Sequence, residues 1–200
     1  MKSSQAGFTL VELLMVLALF GILAALSVPR LVAASAHLRV RLAAEELTAT
    51  LHQSRISAIR HGVHAGLKFR TAEDGRVSFT LYRDGDADGV RSNDIEAGTD
   101  PPLGPSRTLK MLGRGIGFGF PPGMIPRDPS GSGRPMNRLD DPIRFNRSDL
   151  ASFGPKGTST PGSLYLSDGK GTLMAVRVFN RTGKIKILEY DPGSETWRGP

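Results

Sequence analysis

Glu12 is the only ionisable side chain between Phe8 and Val28, a run of twenty-one residues that is otherwise apolar or uncharged. A helix of that length covers about 31 Å, which is enough to cross the hydrocarbon core of a bilayer. A carboxylate inside such a helix is energetically costly, so a chain that keeps one there is expected to use it. We therefore predict a transmembrane helix over residues 8–28, in which Glu12 pairs with a positive group on a neighbouring molecule.

The residues around this glutamate form a specific pattern. The sequence Gly7-Phe8-Thr9-Leu10-Val11-Glu12, which follows a short leader containing Lys2, closely resembles the class III signal of type IV pilins and type II secretion pseudopilins. The resemblance implies that residues 1–7 are a leader, that a prepilin peptidase cuts between Gly7 and Phe8, and that the new N-terminus is methylated. It also implies that Glu12 pairs with the N-terminal amine of the adjacent subunit during filament assembly.

An ordinary secretory signal peptide is the alternative for this segment. Such a peptide is cleaved after its apolar core, and Ala24-Ala25-Leu26-Ser27 offers a weak site of that kind. The apolar run is longer than the usual signal core of about 7–15 residues, and this alternative leaves Glu12 without a role. A single-pass membrane anchor is therefore favoured, and the resemblance implies that it lies in the bacterial inner membrane. The flanking charges do not settle its orientation, and the resemblance implies that the C-terminal part is periplasmic.

Three aspartates, Asp84, Asp86 and Asp88, alternate along a short stretch that ends in Gly89. Alternating carboxylates followed by a glycine are typical of the start of a calcium-binding loop, because they can surround a hard cation with oxygen ligands. The twelfth position of that loop, where a bidentate acid is needed, is Ile95. Two interpretations stay open: a calcium site, and a solvated loop whose aspartates and glycines satisfy turn geometry.

A candidate basic patch lies near the C-terminus, where Lys184 and Lys186 alternate with isoleucines. If the isoleucines of this strand face the core, both lysines point outwards about 7 Å apart. Arg177 and Arg181 are placed to extend the patch.

The stretch Gly183-Lys184-Ile185-Lys186 is similar to the Gly-Arg-x-Arg stretch that contributes to DNA binding in FimT-type minor pilins of natural transformation. Lysines replace both arginines here, which keeps the charge but loses the two-pronged guanidinium geometry. The resemblance implies DNA as a candidate partner, and the alternative is a solvated strand face on a basic protein.

The composition narrows the classes of function. The formal net charge is +7, which permits acidic partners such as DNA or anionic lipid without selecting among them. The chain has no cysteine, which excludes disulfides, thiolate metal sites and cysteine nucleophiles. The four histidines lack the H-E-x-x-H spacing, and no G-x-S-x-G elbow is present. We therefore expect no enzymatic activity and, apart from the candidate calcium loop, no cofactor.

The helix that must carry Glu12 is expected to continue beyond the membrane. Pro29 lacks an amide hydrogen, so a kink or a loosened turn is predicted there. Beyond it, small and apolar side chains such as Val40, Leu47 and Ala58 recur at steps of three and four, which predicts an amphipathic helix over residues 29–62. Gly62 is the expected C-terminal stop.

Residues 63–200 are predicted to form one β-rich domain. Alternating apolar residues indicate a hairpin around Asp74-Gly75 and an antiparallel meander of three strands within residues 163–190.

Between these strands the pattern is irregular. Residues 113–120 have glycines at every second position, which fits a strand better than a nucleotide-binding loop. Residues 121–162 are dense in proline, glycine and serine, which predicts a flexible insertion with one short strand at residues 143–145.

The passage from helix to strand at residues 47–63 resembles that of the GspH/FimT subfamily of minor pseudopilins. Together with the N-terminal signal, this resemblance implies the pilin fold, an α+β architecture in which a long N-terminal helix packs on an antiparallel β-sheet domain. It implies a minor subunit of a type II secretion pseudopilus or related type IV filament, with prepilin peptidase, other pseudopilins or pilins and the inner membrane as partners. A minor type IV pilin that binds DNA for uptake in natural transformation is the alternative.

Overall fold

The structure is a computed structural model that describes residues 7, 9–110, 112, 115–179 and 182–199, with only the backbone described at Pro29 and Ala33. Leader residues 1–6, Phe8 and Arg181 therefore lie outside the described residues. The chain divides into two compact units, Met1–Ala36 and His37–Pro200.

Helix α1, Leu10–His61, is the longest element and belongs to both units. In the first unit its apolar side chains are exposed, with Leu10 73%, Met15 70% and Phe20 65% accessible to solvent. The helix contains a segment that is long and apolar enough to cross a membrane, and none of that segment is buried. The helical backbone continues through Pro29, where a kink or loosened turn is predicted from the sequence. An apolar surface of this kind suits lipid or a bundle of helices rather than water.

In the second unit the same helix is buried on one side. Val40, Leu47 and Leu51 have no accessible surface. Ser54 lies on the same stripe, and its hydroxyl donates to the Thr50 carbonyl oxygen 3.0 Å away, so the buried polar group is satisfied within the helix. The helix is therefore amphipathic here, as its periodicity predicts.

The end of α1 also agrees with the sequence pattern. The last helical residue is His61, and Gly62 follows with a φ of 68°, in the left-handed region. A residue without a Cβ adopts this conformation at little cost, which is why glycine commonly ends a helix.

Among the described residues, nine strands form two antiparallel sheets. In chain order they are β1 Ala65–Thr71, β2 Val77–Arg83, β3 Gly117–Phe118, β4 Ile143–Arg144, β5 Leu150–Phe153, β6 Gly162–Ser167, β7 Leu173–Phe179, β8 Lys184–Asp191 and β9 Thr196–Arg198. The three-stranded sheet has the order β2-β1-β5, and the six-stranded sheet has the order β3-β6-β7-β8-β9 with β4 also paired to β6. A short helix, α2 Ser92–Ala97, lies between β2 and β3 in the chain.

The predicted hairpin is formed by β1 and β2, in a register that places Leu67 opposite Leu81 and Phe69 opposite Phe79. The predicted C-terminal meander is formed by β6, β7 and β8. Both elements follow from local alternation of apolar residues, because that alternation gives each strand one face suited to the core.

The segment 121–162 contains more structure than the expected flexible insertion with one short strand. It supplies β4 within the expected stretch and also β5, which the sequence analysis does not predict. Strand β5 pairs with β1, and the ring of Phe145 is fully buried with its centroid 6.4 Å from that of Phe69. The segment therefore contributes a strand and a core side chain, while its flexibility stays a prediction.

One main core joins the buried stripe of α1 to apolar side chains from both sheets. Its largest members include Leu47 and Leu51 of the helix and Phe69, Phe145 and Phe153 of the β-rich part. This packing confirms the α+β architecture that the sequence resemblance implies, in which a long N-terminal helix lies against antiparallel sheets.

A second cluster lies on the other face of the six-stranded sheet. Tyr165, Leu173, Leu188 and Tyr190 are buried there, and the half-buried ring of Trp197 packs on them. The six-stranded sheet is thus partly covered on both faces, and only part of its outer face is left for solvent.

Replacing Gly162 by alanine is expected to destabilise this core. A Cβ at Gly162 would lie 2.2 Å from Cδ1 of Phe145 and 2.5 Å from the Arg144 carbonyl oxygen, so the backbone itself must shift. We expect Gly162→Ala to lower the free energy of unfolding by about 2–3 kcal/mol in urea titrations of the full-length protein in detergent. Gly171→Ala is the matched control, because a Cβ there meets nothing within 4 Å. Equal stability of the two variants would contradict the packing described here.

Candidate functional site

Glu12 is held at the start of α1 by Thr9. The amide and the hydroxyl of Thr9 donate to Oε2 of Glu12 at 2.8 and 2.9 Å, and the Glu12 amide donates back to the Thr9 hydroxyl at 3.2 Å. This reciprocal arrangement is a capping box, and it satisfies amides that have no carbonyl partner in the first helical turn. Among the described residues, the second carboxylate oxygen, Oε1, accepts no hydrogen bond.

The capping box was readable from the sequence but is absent from the sequence analysis. Thr9-Leu10-Val11-Glu12 fits the pattern of a serine or threonine followed three residues later by a glutamate, which marks a helix start. The box places the carboxylate one turn into the helix. Gly7 is exposed and precedes the helix, whereas Phe8, the other residue of the predicted processing site, lies outside the described residues.

The structure brings the three aspartates of the candidate calcium loop together. Their ligand oxygens lie within 4.8 Å of one another. Asp84 is buried, and its carboxylate already accepts the backbone amides of Ala87 at 2.7 Å and Gly89 at 2.9 Å. Asp86 is exposed, and the exposed Asp88 forms an ion pair with the Arg91 guanidinium.

A fourth acid, Asp100, closes the same loop and was not singled out in the sequence. It is only 1% exposed, and its two oxygens accept the backbone amides of Gly85 and Arg91, each at 3.0 Å. Asp84 and Asp100 therefore act as acceptors for backbone amides, which is the usual role of an aspartate in a turn.

The fit of this loop to calcium is poor in two respects. The oxygens of Asp84 are engaged by amides, and Ile95, at the position where a calcium loop needs an acid, is buried beside Tyr82 and Val90. One observation points the other way. Desolvation raises the pKa of Asp88 above its ordinary value, and repulsion from the nearby Asp86 charge raises it further. A bound cation would relieve that repulsion. The geometry favours the turn interpretation, and calcium binding stays a prediction.

Lys184 and Lys186 are exposed on the outer face of β8, while Ile185 and Ile187 between them pack against the main core. Arg177 on β7 is directly opposite Lys186 and donates from Nη1 to the Ser163 hydroxyl at 3.3 Å. Arg181, the fourth residue of the predicted patch, lies outside the described residues.

The outer face carries a further cation that the sequence analysis does not include. Arg144 of β4 is opposite Ser163 of β6. Ser163 is in turn opposite Arg177 of β7, and Arg177 is opposite Lys186 of β8. Arg144, Arg177 and Lys186 thus lie on one line across four strands, here called the basic row. Arg144 could not be found from the local sequence, because its position depends on the pairing of β4 with β6.

Phe179 lies among these cations. The guanidinium carbon of Arg177 is 5.1 Å from its ring centroid, and Nζ of Lys186 is 5.9 Å from it, distances at which cation–π attraction acts. Arg144 likewise lies 5.6 Å from the ring centroid of Tyr165. Tyr165 is buried, whereas Phe179 is only half-buried, so among the described residues of the basic row's surroundings Phe179 offers a ring that a polyanion with flat rings could contact.

Comparison with known proteins identifies the N-terminal segment. A family model described as "Prokaryotic N-terminal methylation motif" matches residues 2–28. This match indicates a type IV pilin-like prepilin signal, which implies processing by prepilin peptidase and assembly with other pilins and suggests a structural subunit rather than an enzyme. The long apolar helix fits a single-pass membrane anchor. Comparison with curated proteins gave no match, and comparison with solved structures gave none either.

The aspartate loop yields a paired test. We expect Asp84→Ala to lower the free energy of unfolding by about 2 kcal/mol, because buried backbone amides lose their acceptor. Asp86→Ala, on the exposed side of the loop, is expected to cost less than about 1 kcal/mol. Both values can be measured by urea unfolding with calcium and with a chelator. If both variants lower the free energy of unfolding by a similar amount, and only when calcium is present, the loop is a metal site.

Proposed function

We propose that this chain is a minor pseudopilin of the GspH/FimT type, a non-catalytic subunit of a type II secretion pseudopilus or a related type IV filament. Prepilin peptidase would cut between Gly7 and Phe8 and methylate Phe8, and the mature subunit would join the filament through α1. The anchor would lie in the bacterial inner membrane with the β-rich part in the periplasm.

The observation that carries this proposal is the state of the Glu12 carboxylate. It stands at the start of an exposed apolar helix, one oxygen is held by Thr9, and the other is open to a second donor. In a bundle of apolar helices an unpaired carboxylate is strongly unfavourable, so the open oxygen favours assemblies that supply a cation. An amine created by cleavage before Phe8 on an adjacent subunit is a cation of that kind.

A second exposed surface supports assembly. On the side of α1 that faces away from the core in the second unit, Leu38 and Leu42 are 54% and 40% exposed, and Ile56 and Ile59 are 62% and 50% exposed. Both pairs lie on the same side of the helix, because steps of four and three residues connect them through Glu45, Ala49 and His52. Two exposed apolar pairs separated by these residues are suited to separate contacts with neighbouring subunits in a filament.

A DNA-binding minor pilin of natural transformation is the second candidate. The basic row and Phe179 favour it, because they place three cations and an aromatic ring on one sheet face. Phosphates would be attracted by the cations, and unpaired bases could stack on the ring. Lys184 and Lys186 supply exposed charge, whereas Arg177 is partly engaged by Ser163.

Glu12→Gln is the sharpest test of the assembly proposal. Glutamine keeps an oxygen that can accept the Thr9 amide but removes the charge. We expect the variant to be cleaved and inserted in the membrane, yet to enter sheared filaments at least about tenfold less than the wild type, because its neighbour's amine is left unpaired. The readout is the mass of the mature N-terminus together with the protein recovered in the filament fraction.

Thr9→Val is the matched control for the capping box. It removes the hydroxyl that Glu12 shares but keeps the carboxylate charge. Near-normal filament incorporation of Thr9→Val alongside loss in Glu12→Gln supports the charge pair. Normal incorporation of Glu12→Gln would refute it, and so would a native protein that still begins at Met1.

DNA binding can be tested by salt titration of the full-length protein in detergent. If Lys184 and Lys186 contact phosphates, replacing both by alanine should reduce the slope of log K against log salt by about two units. Lys110→Ala/Lys170→Ala changes the net charge equally at exposed sites outside β8 and should leave the slope unchanged. Equal slopes for wild type and Lys184→Ala/Lys186→Ala would exclude the DNA role of these lysines.

A further inference from the structure

Strand β8 has an outer edge that is paired over only part of its length. Its inner side pairs with β7 from Lys184 to Glu189, whereas β9 pairs with its outer side only at Glu189, Tyr190 and Asp191. Among the described residues, no strand or isolated bridge pairs the outer side of residues 184–188, here called the free edge. Alternate backbone amides and carbonyls along the free edge therefore lack sheet partners.

The outer edges of the three-stranded sheet are covered by the chain itself. On β2, the Phe79 amide donates to the Arg107 carbonyl at 2.8 Å, and the Arg107 amide returns a bond of 2.9 Å to Phe79. On β5, the Thr160 amide donates to the Ser152 carbonyl at 2.9 Å. At the opposite side of the six-stranded sheet, β3 and β4 are only two residues long. The free edge is thus a five-residue edge that no described strand pairs, and the loop at Gly157 contacts Gly183, just before it.

A second copy of the chain is a poor occupant of the free edge. Two such edges pairing with each other would bring the exposed lysines of one copy beside those of the other. Like charges on paired strands are destabilising, and lysines on an edge are a known means of preventing self-association. The occupant must therefore carry the opposite charge.

The two faces of β8 determine which side chains the occupant carries on each of its own faces. On the outer face it meets Lys184 and Lys186, both exposed, with Arg177 on the next strand. On the other face it meets the partly exposed Ile185 and Ile187, which pack on the main core. Because side chains of a paired strand alternate in the same way, acidic residues would face the lysines and apolar residues the isoleucines.

Helix α1 borders the apolar side of the free edge. At one end of β8, Nε2 of His37 is 2.9 Å from Oε1 of Glu189. At the other end, the Arg55 side chain lies against Gly183, where a Cβ would come within 3.0 Å of the Arg55 Nε atom. The helix therefore runs antiparallel to β8, and apolar side chains of an added strand would be sheltered on this side.

We propose that the free edge takes up an extended segment of another protein as an added strand, and that this segment alternates acidic and apolar residues over about five positions, or about 17 Å. Backbone hydrogen bonds supply affinity, and the lysine and isoleucine rows supply specificity. The partner is thus a protein strand with a defined pattern, independent of the filament role and of DNA.

The test uses the full-length protein in detergent and a blocked, fluorescent peptide of three Glu-Val repeats. We expect saturable binding by fluorescence anisotropy, with slower hydrogen exchange at residues 184–188. A peptide of the same sequence with N-methyl groups on alternate backbone amides keeps its charge but cannot pair with an edge. Its affinity should be at least about tenfold lower.

Charge exchange gives the matched variants. The affinity of Lys184→Glu/Lys186→Glu for the Glu-Val peptide should be at least about tenfold lower than that of the wild type. The variant should instead bind a Lys-Val peptide, since opposite charges on paired strands attract. Lys110→Glu/Lys170→Glu makes the same change in net charge at exposed sites off the edge and should behave as the wild type. Circular dichroism checks that both variants are folded.

Three results would overturn the proposal. Equal affinity for the N-methylated peptide would show attraction by charge alone. Equal loss of binding in the Lys110→Glu/Lys170→Glu variant would show a non-specific effect of net charge. Failure of the Glu-Val peptide to bind, together with tight binding of single-stranded DNA that Lys184→Glu/Lys186→Glu abolishes, would show that the lysines form a nucleic-acid surface.

Discussion

The buried stripe of α1, centred on Leu47 and Leu51, is the packing surface on which both sheets of the second unit converge. Each fully buried leucine contributes about 1.5–3 kcal/mol through removal of its side chain from water. Small residues beside them, Ala43, Ala44 and Ser54, have no accessible surface and let the strands approach the helix backbone. Without this stripe, the three-stranded sheet and the inner face of the six-stranded sheet would have no common core.

The same helix meets a different constraint in the first unit. Among the described residues of that unit its apolar side chains stay exposed, and lipid or other helices could bury them. In such surroundings each unsatisfied amide at the helix start is expensive. The capping box of Thr9 and Glu12 removes part of this cost and gives the carboxylate local hydrogen-bond donors, which makes a charged residue easier to keep in an apolar segment.

Local patterns predicted much of this architecture. The helix end at Gly62, the β1–β2 hairpin and the outward direction of Lys184 and Lys186 all follow from periodicities of two or 3.6 residues that a short window reveals. The missed features depend on pairing between distant segments. Strand β5 follows a stretch rich in proline and glycine, and its role is set by its alignment with β1 rather than by its own composition.

The candidate sites show the same division. Gly7 and Glu12 form a local pattern, so the sequence alone is enough to predict a role for each of them. Arg144 joins Arg177 only through the pairing of β4, β6 and β7, so no local pattern could place them together. The capping box is an exception, because its four-residue signal is local and is sufficient to predict the bond between Thr9 and Glu12.

The geometry of the capping box bears on maturation. The amide that Thr9 donates to Glu12 belongs to the peptide bond between Phe8 and Thr9, so a cut one bond earlier leaves every hydrogen bond of the box in place. Removal of the leader would then convert a neutral peptide nitrogen into a cation without moving the point at which the helix begins. Proteolysis at that bond would change the charge near the start of the helix and leave the capping box intact, so the helix itself would need no refolding before it meets a neighbour.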